Sequence, residues 1–354
     1  DIFGQVTSLF QSADLAIANL ESPLVENGVP VFGKCTLRGT TNWAKVLKNA
    51  GIGFVSLANN HMMDYGLGGL QSTIRACEEV GLFYAGAGMD VHEACQPIYI
   101  TVNGTRIAIL CRTSVIVSSP CYASNDSPGV AFLQEKETID AISTCKKRAD
   151  FVIVCIHWGI EDYLYPSKEQ RQLAHQFVEA GANLIIGHHP HVLQGIERIG
   201  KAFVLYSLGN FVFDEFEWSF INEDGVPQTS MSILPEINRR SGIVQLTLVD
   251  RQTSHYDFHP TLIDSDGKVI LDENEAGGKT IHRLSSRLRW PLYNQLWLAY
   301  SLKQEWLLRI NPLFAGKFTL EKMKKLRFAH VKQFIKKLIQ SGRISLGKTT
   351  SPYD

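Results

Sequence analysis

Short apolar runs alternate with amphipathic helical segments along the first part of the chain. The strand-like runs lie at 14–20, 52–58, 82–85, 151–156 and 182–186. The helical patterns lie at 42–50, 67–80, 135–148 and 168–180. Strands that alternate with helices of this length are typical of a layered α/β fold.

Two strand-like runs, 98–102 and 106–111, flank Asn103 and Gly104, a pair that favours a tight hairpin. Part of the sheet structure is therefore expected to be antiparallel, which makes it mixed. Further strand-like runs lie at 202–208, 243–249 and 256–263. These would form a second sheet, so we predict a four-layer αββα sandwich with mixed sheets.

The chain changes character towards its C-terminal end. Residues 266–282 are rich in Gly, Asp, Glu and Asn and are predicted to be a linker, which leaves 1–265 as the α/β domain. Residues 283–354 carry 15 Lys and Arg against 3 Asp and Glu, whereas residues 1–282 carry 20 against 32. A basic helical extension is predicted over 283–348. It would either pack on the core or present a basic surface to an anionic membrane, a membrane synthase complex or an acidic polymer.

The composition is that of an ordinary globular protein. With 354 residues, 45% of them hydrophobic, the chain can bury a substantial core. Seven cysteines without short paired spacings favour reduced thiols, as in the cytoplasm. No apolar run is long enough for a membrane span, and no signal peptide is recognisable. Because the chain begins at Asp1, an upstream anchor or signal stays open, and with it a membrane-associated or extracellular location.

Ligand-type residues follow four of the predicted strands. Three histidines fall within four residues, His188 to His191, directly after an apolar run, and imidazole is a common ligand for zinc, iron and manganese. Because ligands gather at the carboxyl ends of strands in α/β sheets, these residues should converge on one edge of the fold. The predicted metal ligands are Glu21, Asn60, His157, His189 and His191. Such a shell suits one or two Mn, Zn or Fe ions that activate water for hydrolysis.

His61 and Asp64 indicate proton transfer beside the metal site. Asp64 would orient His61, whose imidazole would hand a proton to the leaving group. Each residue also has a structural interpretation: His61 as a helix-start residue, His157 as a core histidine, Glu21 as a surface carboxylate. The chain has no Gly-x-Ser-x-Gly elbow, phosphate-binding P-loop or Cys-x-x-Cys pair, which disfavours the chemistries that need them.

At these residues the sequence resembles the CapA family of bacterial capsule and poly-gamma-glutamate synthesis proteins, within the calcineurin-like metallophosphatase superfamily. The motifs that carry the resemblance are Asn19 to Pro23, Ala58 to His61 with Asp64 to Gly66, Gly86 to Gly88, His157 to Gly159 with Glu161, Gly187 to Gln194, and Tyr206 to Phe211. The resemblance implies the αββα sandwich and a metal centre with the ligands named above. It also places His61 on the histidine thought to assist the leaving group.

The resemblance leaves several positions open. The superfamily normally has an aspartate at the position of Glu21. His188 and His189 are alternatives for one ligand position, and Asn59 and Asn60 are alternatives for another. A Gly-Asp strand that supplies a further ligand is not found ahead of Glu21. We therefore expect one well-formed ion site around Asn60, His157 and His189, with a weaker second site at His191. The remaining polar residues of the motifs are expected to bind substrate: Asn59, Glu161, His188 and Asn210.

Three functions fit the sequence. The leading hypothesis is a metal-dependent hydrolase of capsule or poly-gamma-glutamate biosynthesis that cleaves a phosphoester or a similar bond in an anionic substrate. The second is a non-catalytic accessory protein for assembly or export of the polyanionic polymer. The third is a peptidase that cuts gamma-glutamyl bonds with the same metal-activated water. No nucleic-acid partner is expected.

Overall fold

The computed structural model describes residues 2–31, 34–115, 121–221 and 227–307. The strands are β1 Ala16–Asn19, β2 Ile52–Ser56, β3 Phe83–Ala85, β4 Ala87–Gly88, β5 Ile98–Val102, β6 Thr105–Thr113, β7 Gly129–Val130, β8 Phe151–His157, β9 Leu184–His188, β10 Ile196–Ile199, β11 Ala202–Leu205, β12 Phe216–Ile221, β13 Pro227–Ser232, β14 Arg240–Val249, β15 Gln252–Ile263 and β16 Val269–Leu271. The α-helices are α1 Thr7–Gln11, α2 Asn42–Ala50, α3 Gly66–Glu79, α4 Val91–Cys95, α5 Glu135–Lys146, α6 Lys168–Ala180, α7 Ala276–Leu288 and α8 Tyr293–Glu305.

Two sheets form the centre of the fold. The smaller sheet is parallel, in the order β1-β2-β3, and the larger one has the order β10-β11-β9-β8-β6-β5. In the larger sheet the four central strands are parallel, and β5 and β10 pair antiparallel at its edges. The predicted mixed sheet is thus confirmed. The hairpin between β5 and β6 turns at Asn103 and Gly104, both with positive φ as a tight hairpin turn requires.

The layers follow from the alternation of side chains along the strands. Phe54 of β2 packs in one buried cluster with Ile109 of β6 and Ile153 of β8, so this cluster lies between the two sheets. The opposite face of the smaller sheet, with Val55, packs against helices α1 to α3. Helices α5 and α6 contact each other, and α5 contacts β6 and β8 of the larger sheet. The predicted four-layer αββα arrangement is confirmed.

The composition of the second sheet was predicted wrongly. Strand β11 joins the larger sheet beside β9, whereas β14, β15 and β16 form a separate antiparallel sheet. All four residues of β11 are buried, as expected for a strand covered on both faces. In β14 and β15, by contrast, apolar residues such as Val244 and Phe258 pack against the main core but are only partly buried, and Asp257 beside Phe258 is exposed.

The segment 266–282, predicted to be a linker, contains β16 and half of α7. Helix α7 buries Ile281, Leu284 and Leu288 on one stripe, so the compact unit that begins at the N-terminus extends to residue 288. The second unit covers 289–354, and its described part contains α8. The helical pattern predicted further along the extension lies outside the described residues. None of the described helices is both long and apolar enough to cross a membrane.

Candidate metal centre

The predicted ligands lie where parallel strands of the two sheets end. Glu21 follows β1, Asn60 follows β2, and His157 is the last residue of β8. The register of β8 and β9 places His157 opposite His188, which brings the histidine cluster next to it. The edge arrangement predicted from the hydrophobic runs is therefore present, and it is made by two sheets that face each other.

His157 and Glu21 form the centre of the group. The Nε2 atom of His157 lies 2.8 Å from Asn60 Oδ1 and 3.3 Å from Glu21 Oε1. The same carboxylate oxygen lies 3.7 Å from Nε2 of His191. The other oxygen of Glu21 accepts a hydrogen bond from Asn19 Nδ2 at 3.0 Å, which fixes the carboxylate plane. Glu21 therefore faces both the His157–Asn60 pair and His191.

A tight turn after β9 aims His189 and His191 into the same space. Both have left-handed backbones, with φ of 97° and 57°, and the turn is held because Asp162 N donates to Pro190 O at 2.9 Å. The His189 ring lies 4.9 Å from that of His157 and 5.7 Å from that of His191, measured between ring centres. Just before this turn, Gly187 lets the Tyr206 carbonyl pack closely against β9, because a Cβ there would fall onto that oxygen.

The donor set fits a divalent cation. Ligand atoms of Glu21, His189 and His191 all lie within 4.8 Å of one another, although the sequence favoured a main site around Asn60, His157 and His189. Glu21 Oε1 and His189 Nδ1 are buried without a hydrogen-bond partner in the protein. Buried polar atoms are costly to leave unpaired, so these atoms are suited to a ligand with positive charge. Mixed imidazole and carboxylate donors suit Zn, Mn or Fe.

The charge balance of the site points the same way. Burial alone would raise the pKa of Glu21, but the imidazoles of His157 and His191 hold it well below its usual range. Burial, together with His157, lowers the pKa of His189 well below its usual value, so this ring is neutral and can act as a ligand. Burial opposes protonation of His191 too, yet Glu21 and Asn210 raise its pKa.

His61 is oriented by a network that the sequence revealed only in part. Its Nδ1 lies 2.7 Å from Asp64 Oδ2, as predicted. Asp64 is completely buried and also accepts from Lys34 Nζ at 2.5 Å and from Leu37 N at 2.6 Å. Lys34 donates in addition to the Asn60 carbonyl at 2.5 Å. Sequence reasoning missed Lys34, because it lies in a loop without periodicity or a ligand motif.

The residues predicted to bind substrate occupy different environments. Asn59 is fully buried, and its amide bonds to backbone groups: Nδ2 donates to Leu20 O at 2.8 Å, just after β1, and Oδ1 accepts from His61 N and Met62 N at 3.1 and 3.0 Å. This geometry supports Asn60 for the ligand position that the two asparagines share.

The other three expected substrate residues also differ from one another. Glu161 is exposed beside the site. Burial and His157 lower the pKa of His188 to about 3. Asn210 Oδ1 lies 2.7 Å from His191 Nδ1. His189, and not His188, groups with Glu21 and His191.

Comparison with known proteins identifies related sequences. Residues 1–215 match the family model described as "Bacterial capsule synthesis protein PGA_cap". The PGA biosynthesis protein CapA of Bacillus subtilis (strain 168) is 39% identical over 285 residues, which cover 80% of this chain and 70% of that protein. The capsule biosynthesis protein CapA of Bacillus anthracis is 36% identical over 222 residues, 60% of this chain and 54% of that protein. The match thus spans about half the length of the second relative.

Solved structures are similar only at a distance. A putative 5'-nucleotidase from Staphylococcus aureus, solved in complex with alpha-ketoglutarate, superposes with a TM-score of 0.41 at 18% identity. The superposition covers 70% of this chain and 44% of that one. A similarity this weak supports no inference about activity.

Proposed function

Because the chain belongs to the bacterial capsule synthesis protein family PGA_cap, we propose that it is a metal-dependent hydrolase that acts in the biosynthesis or processing of an anionic capsular polymer such as poly-gamma-glutamate. The observation that carries the proposal is the buried oxygen Oε1 of Glu21, which faces the imidazoles of both His157 and His191. A carboxylate and several imidazoles at such distances are typical of hydrolytic metal sites.

The protein residues would share the work as follows. Glu21, Asn60, His157, His189 and His191 would hold one or two divalent ions. A bound ion would supply Lewis acidity and lower the pKa of a water molecule. Asp64 accepts from Nδ1 of His61, which leaves Nε2 of that ring to exchange a proton with the leaving-group oxygen. The burial of Asn60 and His157 keeps bulk water from competing for these groups.

The test is hydrolysis of a generic phosphoester by protein reconstituted with Mn²⁺. We expect metal-stimulated cleavage that falls at least about 100-fold in His61→Ala, because general acid catalysis contributes that much, and that is lost in His189→Ala. His255→Ala is the matched control, since this histidine is exposed on β15. Activity that survives both site substitutions would refute the proposal. Turnover of a gamma-glutamyl amide in place of the phosphoester would assign the peptidase reaction to the same site.

The second candidate is an accessory function in polymer assembly or export. It is favoured by the separation of charge along the chain, which concentrates 15 basic residues against 3 acidic ones in 283–354. Such a segment attracts polyanions or anionic membranes without any need for catalysis. Polymer binding that is unchanged in His189→Ala, in a protein without hydrolytic activity, would favour this function.

A further inference from the structure

Asn238 is a buried polar residue close to His191 that no motif of the sequence indicates. It lies in the short 3-10 turn Glu236–Arg239, beyond the residues 1–215 that match the family model, and only 6% of its surface is exposed. We propose that Asn238 is a positioning residue that holds His191 from two sides and fixes which ring nitrogen can bind a cation. This inference rests on the proposed metal site.

The side chain of Asn238 holds the backbone of His191. Its Nδ2 donates to the His191 carbonyl at 3.2 Å and to Asp162 Oδ1 at 2.6 Å. His191 needs such support, because a left-handed backbone at a residue other than glycine is unfavourable and persists only when its surroundings enforce it. The same amide thus connects the 3-10 turn to both the histidine turn and the loop after β8.

The backbone of Asn238 acts on the ring of His191 through Asn210. The Asn238 carbonyl accepts from Asn210 Nδ2 at 3.2 Å, so the amide of Asn210 must point its oxygen the other way. The reverse orientation would bring two carbonyl oxygens together. Asn210 Oδ1 then lies 2.7 Å from Nδ1 of His191 and accepts a hydrogen bond from the protonated Nδ1.

The consequence is a defined tautomer. With the proton held at Nδ1, the lone pair of the neutral ring is at Nε2, the atom that lies 3.7 Å from Glu21 Oε1. Hydrogen-bonded partners of this kind orient metal-binding histidines, and their loss typically weakens metal binding by about 10- to 100-fold. Asn238 therefore extends the site to a turn that contributes no ligand of its own.

The experiment compares Asn238→Ala and Asn238→Asp with the wild-type protein. Asn238→Asp keeps the volume but turns the donor that faces Asp162 and the His191 carbonyl into an acceptor. Ile237→Ala, a neighbour that is 42% exposed, is the control for disturbance of the turn itself. Two readouts are taken: the Kd for Mn²⁺ from calorimetry on metal-free protein, and the ¹⁵N shifts of the neutral His191 ring, assigned by their absence in His191→Gln.

We expect a single tautomer protonated at Nδ1 in the wild type and in Ile237→Ala. Both Asn238 variants lose the side-chain bonds that tie the 3-10 turn to Asp162 and to the His191 backbone, so the turn no longer holds its carbonyl against Asn210. They should therefore show a mixture of tautomers and a Kd raised about 10- to 100-fold. The double variant Asp162→Asn/Asn238→Asp reverses donor and acceptor in one of the two bonds and should recover part of the loss.

The two readouts separate this inference from the proposed function. If the wild type binds Mn²⁺ without hydrolysing any phosphoester, the hydrolase proposal fails and the Kd still tests the role of Asn238. If the wild type binds no Mn²⁺, the metal site fails and the tautomer in the metal-free protein decides. Asn238 variants that keep the single Nδ1-protonated tautomer overturn the inference.

Discussion

At the scale of single residues, Lys34 ties its own loop to the segment from Asn60 to Asp64, which is distant from it in sequence. Its ammonium group lies 2.5 Å from both Asp64 Oδ1 and the Asn60 carbonyl, and only 11% of its side chain is exposed. Asp64 has three hydrogen-bond donors, which are Lys34 Nζ, Leu37 N and His61 Nδ1. Of these, His61 is the one proposed to take part in the reaction. Lys34 balances the buried charge that this arrangement requires.

We predict that Lys34→Met destabilises the protein by about 3 kcal/mol, because it leaves the buried carboxylate of Asp64 without its ionic partner. Urea denaturation of the metal-free protein measures the change. Lys45→Met is the control, since Lys45 is exposed on α2, and should change the free energy of unfolding by no more than about 0.5 kcal/mol. Equal effects of the two substitutions would show that the Lys34 ion pair does not stabilise the fold.

The sequence revealed the residues at strand ends but not those that hold them. Glu21, Asn60 and His157 could be found because each follows an apolar run that predicts a strand. Lys34 and Asn238 lie in a loop and a short turn, where neither hydrophobic periodicity nor a motif marks a position. Their roles depend on which distant segments of the chain come into contact. Local sequence patterns do not predict such long-range contacts.

At the scale of elements, helix α3 packs closely against the loop that carries Glu21. Gly68 and Gly69 are neighbours on this helix, but Gly68 is exposed with open space around it, and Gly69 is buried. A Cβ on Gly69 would lie 2.7 Å from Tyr65 Cβ and 3.4 Å from Pro23 Cβ. Pro23 is two residues from Glu21, so contact here bears on the metal site.

We predict opposite effects for the two glycines. Gly68→Ala should stabilise the protein by about 0.5 to 1 kcal/mol, because alanine favours an exposed helix more than glycine does. Gly69→Ala should destabilise it by about 1 to 3 kcal/mol through overpacking against Tyr65 and Pro23. Thermal or urea unfolding of both variants measures the difference. If Gly69→Ala is as stable as Gly68→Ala, then α3 does not pack tightly enough on the Glu21 loop to exclude a methyl group.

Helices with a strong hydrophobic periodicity could be predicted from the sequence. The pairing of strands into sheets could not. Helices α2 and α6 begin and end where the hydrophobic pattern places them, at 42–50 and 168–180. The assignment of β11 failed because a run of apolar residues predicts a strand without naming the sheet that it joins. Helix α7 was hidden by its polar, glycine-containing start, and only its stripe of Ile281, Leu284 and Leu288 shows that it packs.

At the scale of the whole molecule, the two compact units differ in charge and in the work proposed for them. The unit 1–288 contains the ligand cluster, and the acidic excess of the chain lies within 1–282. The basic excess falls mainly on 289–354, the second unit. If both proposed functions hold, polymer recognition and metal chemistry should therefore be removable independently.

We predict that the full chain binds poly-gamma-glutamate with an affinity that falls steeply between low and physiological salt, because screening shortens the range of the attraction to about 8 Å at 0.15 M. A variant that ends at Leu288, where the first compact unit ends, should lose this binding and keep its Mn²⁺ affinity. His189→Ala should show the reverse pattern, and neutral dextran should bind to none of the three. Salt-sensitive polymer binding that persists in the truncated protein would locate recognition in the first unit. The polymer would then have to bind there despite the acidic excess of 1–282.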